Sequence, residues 1–274
     1  MRTITILIFL LSLAAAAVAT PTYPWLNTPP KPENRLEQRI AVPRGFTRVA
    51  VAPHSFGEWL RGLPLKPGCP PVTLYNGEPK GRQDMHAAVV DLDVGTRDLQ
   101  QCADAVMRLR GEYLYSRKNY AAIHFNFTSG FRAVFAKWAQ GYRVSVRGNR
   151  VSWIKRAAAD SSHASFRAYM DTVFTYAGTA SLSKELLPVK VEAMRIGDVF
   201  IRGGFPGHAV IVADMAKGRG GKTRFLLAQS YMPAQQVHLL KNPADGSPWY
   251  PLDFGAELVT PEYVFTRGEL KRFR

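Results

Sequence analysis

Residues 197–214 read Gly-Asp-Val-Phe-Ile-Arg-Gly-Gly-Phe-Pro-Gly-His-Ala-Val-Ile-Val-Ala-Asp, two β-type apolar runs joined by a glycine-rich turn. Runs this short and this close pair as antiparallel neighbours. The chain is therefore expected to build an antiparallel sheet that includes this hairpin. Its one histidine, His208, opens the second run and so sits at a strand mouth.

Around that hairpin the helical and strand signals come in mixed order. Short strands are expected at 39–42 and 46–51, and Ser55-Phe-Gly-Glu58 is a capping box that starts a helix holding Trp59 and Leu60. A strand is expected at 86–93. Asp98-Leu-Gln-Gln101 then caps the clearest helix, with Leu99, Cys102, Ala103, Val106, Leu109 and Tyr113 on one stripe. A strand at 121–127, a helix at 129–140, a hairpin at 142–154 turning at Gly148-Asn149, and a helix between Ser162 and Gly178 follow. Strands at 198–201, 209–213 and 225–230 come next. With no repeat and no interior linker, this order reads as one α+β domain over residues 36–274.

Met1-Arg2, the apolar run Ile4–Leu13 and the small-residue run Ala14–Ala19 have the layout of a secretory signal peptide, with cleavage expected before Thr20. The apolar run is shorter than the roughly 20 residues a spanning helix needs, and no later stretch is long enough. Residues 20–35, rich in proline, read as an extended leader, and the mature chain as an exported protein of a bacterial periplasm. The formal charge is +15, of which the signal supplies only Arg2, leaving +14 on the mature part. That balance favours cell-wall or other anionic envelope material as partner. The basic residues are scattered and no nucleic-acid-binding signature accompanies them, so no specific nucleic-acid partner is expected. Nothing in the sequence fixes the oligomeric state.

Two cysteines, Cys69 and Cys102, stand in a compartment that permits disulfides. Cys102 has three readings: a nucleophile, a buried core thiol, or one half of a bridge to Cys69. The first rests on position, because a helix N-terminus and a nearby imidazole together lower a thiol pKa. His208 would take the thiol proton, and a third polar group would fix its tautomer. His86, Asp91 and Asp93 form an alternative acid/base or metal cluster on the 86–93 strand, and Thr179-Ala-Ser181 offers hydroxyls in what reads as a turn. Neither is favoured over a solvated strand end or an ordinary turn, and no metal or cofactor is expected. Late in the chain, Leu227–Gln235 and Ser247-Pro-Trp-Tyr250 set aromatics beside polar groups, a mix suited to a groove. Tyr231, Trp249 and Tyr250 are the expected substrate contacts, the last two stacking on sugar rings or peptide.

The Gly197-Asp198 and Gly207-His208 pairs and the capped helix of Cys102 resemble the NlpC-type and CHAP-type cysteine peptidases and amidases. The resemblance implies a papain-like antiparallel sheet with packed helices, here with an inserted helix and hairpin over 121–178. It further implies that the third site residue lies on the strand after the histidine strand, which makes it Gln229, and that the chain is a thiol hydrolase or amidase acting on cell-wall peptide or a related amide. A non-catalytic module binding anionic envelope polymers is the alternative. The mature chain is also similar to the secreted bacterial family catalogued as domain of unknown function 4846, through Leu63-Pro-Leu-Lys-Pro-Gly68, the run from Asp98 to Tyr115, Phe127-Thr-Ser-Gly130, Phe174–Thr179 and Ala228–Ala234. That likeness implies no activity.

Overall fold

The computed structural model describes residues 21–274, so the expected signal peptide lies outside the described residues. In chain order the helices are α1 (Leu36–Arg39), α2 (Phe56–Arg61), α3 (Cys102–Ser116), α4 (Phe135–Ala139), α5 (His163–Tyr176) and α6 (Thr179–Glu185). The strands are β1 (Phe46–Arg48), β2 (His86–Val89), β3 (His124–Asn126), β4 (Arg132–Val134), β5 (Tyr142–Arg147), β6 (Arg150–Lys155), β7 (Leu187–Pro188), β8 (Val199–Arg202), β9 (His208–Gly218), β10 (Thr223–Gln229), β11 (His238–Leu240), β12 (Trp249–Pro251), β13 (Glu257–Val259), β14 (Val264–Thr266) and β15 (Leu270–Arg272).

The fold is α+β around one large antiparallel sheet, ordered β2-β11-β10-β9-β8-β15-β7, with β1 on the far half of β9 and β12 on β10. The opening hairpin is its centre: Arg202 pairs with His208 and Val199 with Ile211. From His208 to Ala216 every residue of β9 is buried, which is why this strand reads as an unbroken apolar run rather than an alternating one. Ala209, Ile211 and Ala213 belong to the core that holds Ala103, Val106 and Met107 of α3, whereas Val210 and Val212 pack with Phe200, Leu227 and Phe265 on the other face. Small side chains beneath α3 let the helix lie close to the sheet.

α3 is buried nearly all round, not along one stripe. Arg108 and Glu112 are fully buried and paired at 2.6 Å, and Arg108 also donates to Gln100 Oε1 at 3.0 Å and Asp93 Oδ1 at 2.8 Å. Charges can be this deep only when each is paired and hydrogen-bonded. The helix also starts at Cys102 rather than in the Asp98 turn, so Leu99 precedes it.

Other expectations are corrected in the same way. The strand expected at 39–42 does not form, since Arg39 ends α1 and residues 40–42 are irregular, and the helix expected at 129–140 splits into β4 and the short α4. Thr179-Ala-Ser181 opens α6 instead of forming a turn. The leader does carry fold information, because Tyr23 is buried and donates its hydroxyl to Trp59 O, and Trp25 Nε1 donates to Asp91 O.

Candidate active site

Cys102 is the first residue of α3, so its own N–H is one of the amides left without an intrahelical partner. Both cysteines are free, Cys69 exposed and Cys102 buried, which removes the bridge between them. Ala103, the next residue of α3, shares a core with Ala209, the residue after His208, and the Ala209 N–H is among the groups that favour the Cys102 thiolate. Helix N-terminus and histidine strand thus converge at the mouth of β9. Gly207 is fixed there by space, since a Cβ would come within 2.4 Å of Gly204 O and 2.5 Å of Thr179 Oγ1.

A chain of hydrogen bonds sets the protonation of His208. Its Nε2 is 2.8 Å from Gln229 Oε1. The Gln229 amide nitrogen donates to the Glu262 carboxylate and lies 3.5 Å from His238 Nε2. His238 Nδ1 in turn is 2.8 Å from Gln236 O, a pure acceptor, so it carries the proton and leaves Nε2 to accept. With both amide hydrogens of Gln229 directed at Glu262 and His238, its oxygen must face His208. His208 is therefore the Nε2–H tautomer, and its Nδ1 is a buried lone pair without a partner among the described residues. Lys80 anchors the far end, 2.6 and 2.7 Å from the two Glu262 oxygens.

Burial dominates the charge states. It lowers His208 to about 4, with Gln229 acting against it, and lowers His238 to about 3. Burial pushes the Cys102 thiol up to about 11, helped by Asp104 and opposed by backbone N–H groups including that of Ala209. The unliganded site thus holds a neutral thiol and a neutral imidazole. The expectation that the helix N-terminus would make Cys102 partly thiolate near neutral pH is overturned, because loss of water outweighs the dipole. At pH 7.5 iodoacetamide should label Cys69 rapidly and Cys102 slowly, with the Cys102 rate still rising above pH 9; mass mapping of the two peptides checks this.

Cys102 opens onto a cleft of about 310 Å³ whose walls include Asp104, Phe174, Phe205, Gly207 and Met232. Phe205 is 96% exposed and Met232 41%, so two apolar side chains stand at the cleft in water. Asp104, also buried, accepts from Gln101 N–H through one oxygen, and its Oδ1 has no hydrogen-bond partner among the described residues. Burial raises this carboxyl well above its usual range.

These shifts have opposite consequences for stability. The histidines have lowered native pKa values, so from pH 6.5 down to about 4 the unfolded chain takes up protons that the native chain refuses, and each costs about 1.4 kcal/mol of stability per pH unit. Asp104, raised instead by its burial, stabilises the native state at low pH and loses that contribution as pH rises, acting against the histidines. Denaturant titrations between pH 6.5 and 4.5 should show stability falling as pH falls, more steeply in Asp104→Asn than in the native sequence.

Of the expected substrate contacts only Tyr231 belongs here. Its ring is 5.0 Å from that of His208, Lys80 Nζ lies 5.3 Å from its centroid, and burial, Glu262 and Cys102 together raise its hydroxyl. Trp249 and Tyr250 are 3% and 1% exposed and donate to Ala41 O and Lys241 O; as core side chains they have no free face to stack on a ligand, which corrects that expectation. Asp198 does not reach the site either, being clamped by Arg272 at 2.6 and 2.8 Å. His86, Asp91 and Asp93 do not gather: His86 bonds Pro70 O, Asp93 pairs with Arg108 and Arg167, and no metal-type cluster occurs among the described residues. Glu262, Lys80 and His238 are the members sequence reasoning missed. Glu262 lies far along the chain in a loop with no strand or helix signal of its own.

A family described as "Domain of unknown function (4846)" matches residues 36–272. No curated protein and no solved structure matches the chain.

Proposed function

Because the chain belongs to the family described as domain of unknown function 4846, whose description carries no activity, we propose its function from the site: a thiol hydrolase or amidase acting on cell-wall peptide or a related amide, on a papain-like scaffold. The observation that carries this reading is the His208 ring, held by Gln229 and Glu262 with one unused lone pair at the mouth of the strand on which the Cys102 helix packs. A general base keeps one ring nitrogen open. His86 and His124 also leave Nδ1 without a hydrogen-bond partner among the described residues, and His208 is set apart from them by its place at that strand mouth.

In the proposed reaction Cys102 Sγ attacks the amide carbonyl while its proton passes to His208 Nδ1. Deprotonation accompanies attack because the resting thiol is neutral. The oxyanion forms near the Cys102 N–H, an unsatisfied donor at the positive end of α3. The imidazolium then protonates the leaving amine, and water, activated by the same lone pair, releases the acid from the Cys102 thioester. Gln229 Oε1 accepts from Nε2–H throughout and stabilises the imidazolium. Phe205 and Met232 give the cleft an apolar rim for a side chain flanking the scissile bond.

The exported, periplasmic setting and the positive charge support envelope peptides as the substrate class. Purified protein incubated with soluble peptidoglycan fragments should release new amino groups, detected by amine labelling and mass spectrometry. Unchanged fragments across a panel of cross-linked and uncross-linked peptides would contradict the proposal.

A further inference from the structure

Between Tyr113 and Ala159 the chain holds nine lysines and arginines and no aspartate or glutamate. Several basic side chains elsewhere in the fold are paired: Arg48 and Arg61 on Asp214, Lys80 on Glu262, Arg202 on Glu269, Arg272 on Asp198. None of the nine takes part in a salt bridge among the described residues. A run of nine unpaired basic residues with no acidic residue among them is an electrostatic surface in need of a counter-charge.

Hairpin geometry orders part of it. β5 and β6 form their own two-stranded sheet, with Tyr142 opposite Lys155, Val144 opposite Trp153, Val146 opposite Val151, and Arg147 opposite Arg150. Alternation gives one face Val144, Val146, Val151 and Trp153, and Val144, Val151 and Trp153 pack on the main core. The other face carries Arg143, Ser145, Arg147, Arg150 and Ser152, with the half-buried Ile154 opposite Arg143 at its base. Arg147 and Arg150 are exposed and sit directly opposite each other, an arrangement that repels unless an anion lies between them. Lys155 and Lys137 lie on the first face instead, over Tyr142, and Arg156 follows the end of β6.

We propose that the polar face of the β5–β6 hairpin, led by Arg147 and Arg150, binds a linear polymer bearing phosphate groups. Arginine forks match phosphate oxygens, and a narrow ribbon tracks a chain better than a plane. A bilayer is disfavoured because the tip, Arg147-Gly148-Asn149-Arg150, has no apolar side chain and the large exposed hydrophobics of the fold lie elsewhere. Stacking on bases is disfavoured because the aromatics are already covered: Arg143 stands 4.2 Å over Trp138, and Lys137 stands 4.9 Å over Tyr142 and 5.9 Å over Trp153.

The inference is independent of the thiol chemistry. Inorganic polyphosphate is the probe, with binding to the native protein and two double variants read by fluorescence anisotropy at about 50 and 200 mM salt. Arg147→Glu/Arg150→Glu should weaken binding at least about tenfold and flatten its salt dependence, while melting temperature and amide release from a small soluble peptide stay unchanged. Arg219→Glu/Lys222→Glu makes the same charge change on the exposed loop before β10 and should leave binding within about twofold. Equal losses in both variants would reduce the effect to net charge and overturn the proposal, as would tighter binding to anionic vesicles than to polyphosphate.

Discussion

Cys102→Ala and His208→Ala should each lower amide release by at least about 10³-fold, and the double variant should be no worse than either single one, because groups that act as a unit fail together. Both side chains are buried, so the control is a denaturant midpoint close to that of the native protein. Gln229→Ala should cost less, about 10²-fold, since it removes the orienting acceptor and leaves the base. Its signature is selective: kcat falls while KM holds, because Gln229 meets the ring and not the substrate. Steady-state kinetics on one peptide amide, with the native protein and all four variants, decides this.

The second large effect concerns the far end of the same network. Glu262→Leu leaves the Lys80 ammonium, 6% exposed, without its partner and should destabilise the fold by about 3 kcal/mol. Burial already lowers the Lys80 pKa against the pull of Glu262, so the uncompensated lysine should shed its proton at lower pH than in the native protein. Lys80→Met/Glu262→Leu removes both charges and should recover most of the stability. It should not recover turnover, because the Gln229 amide is then free to rotate and present its nitrogen to His208. Recovery of both together would mean that Glu262 serves only the ion pair.

The parts of the site that follow from local rules were legible in the sequence. His208 stands at a strand mouth because Gly207 and an aliphatic run frame it, and Gln229 lies on the following strand at the right alternation. Cys102 stands in the first turn because a capping signal precedes it, although the helix begins four residues after Asp98. What local patterns cannot carry is contact between distant segments. Gln229 meets Glu262 across 33 positions and Lys80 meets it across 182, and neither residue has a neighbour pattern that marks it. Trp249 and Tyr250 misled for the converse reason: aromatics flanked by serine and proline look like a groove, but β12 pairs with β10 in the sheet and turns both rings inward. The charge state of Cys102 was misjudged because a helix N-terminus is visible in sequence and the depth of burial is not.

The central claim is that Cys102 carries the acyl group during turnover. Acid quenching of a single turnover with a peptide amide, followed by mass mapping, reads this directly. The account predicts an acyl adduct on the Cys102 peptide in the native protein, enriched when Gln229→Ala slows thioester hydrolysis and absent in His208→Ala. Amide release at the native rate with no adduct, or undiminished release from Cys102→Ala, would contradict it.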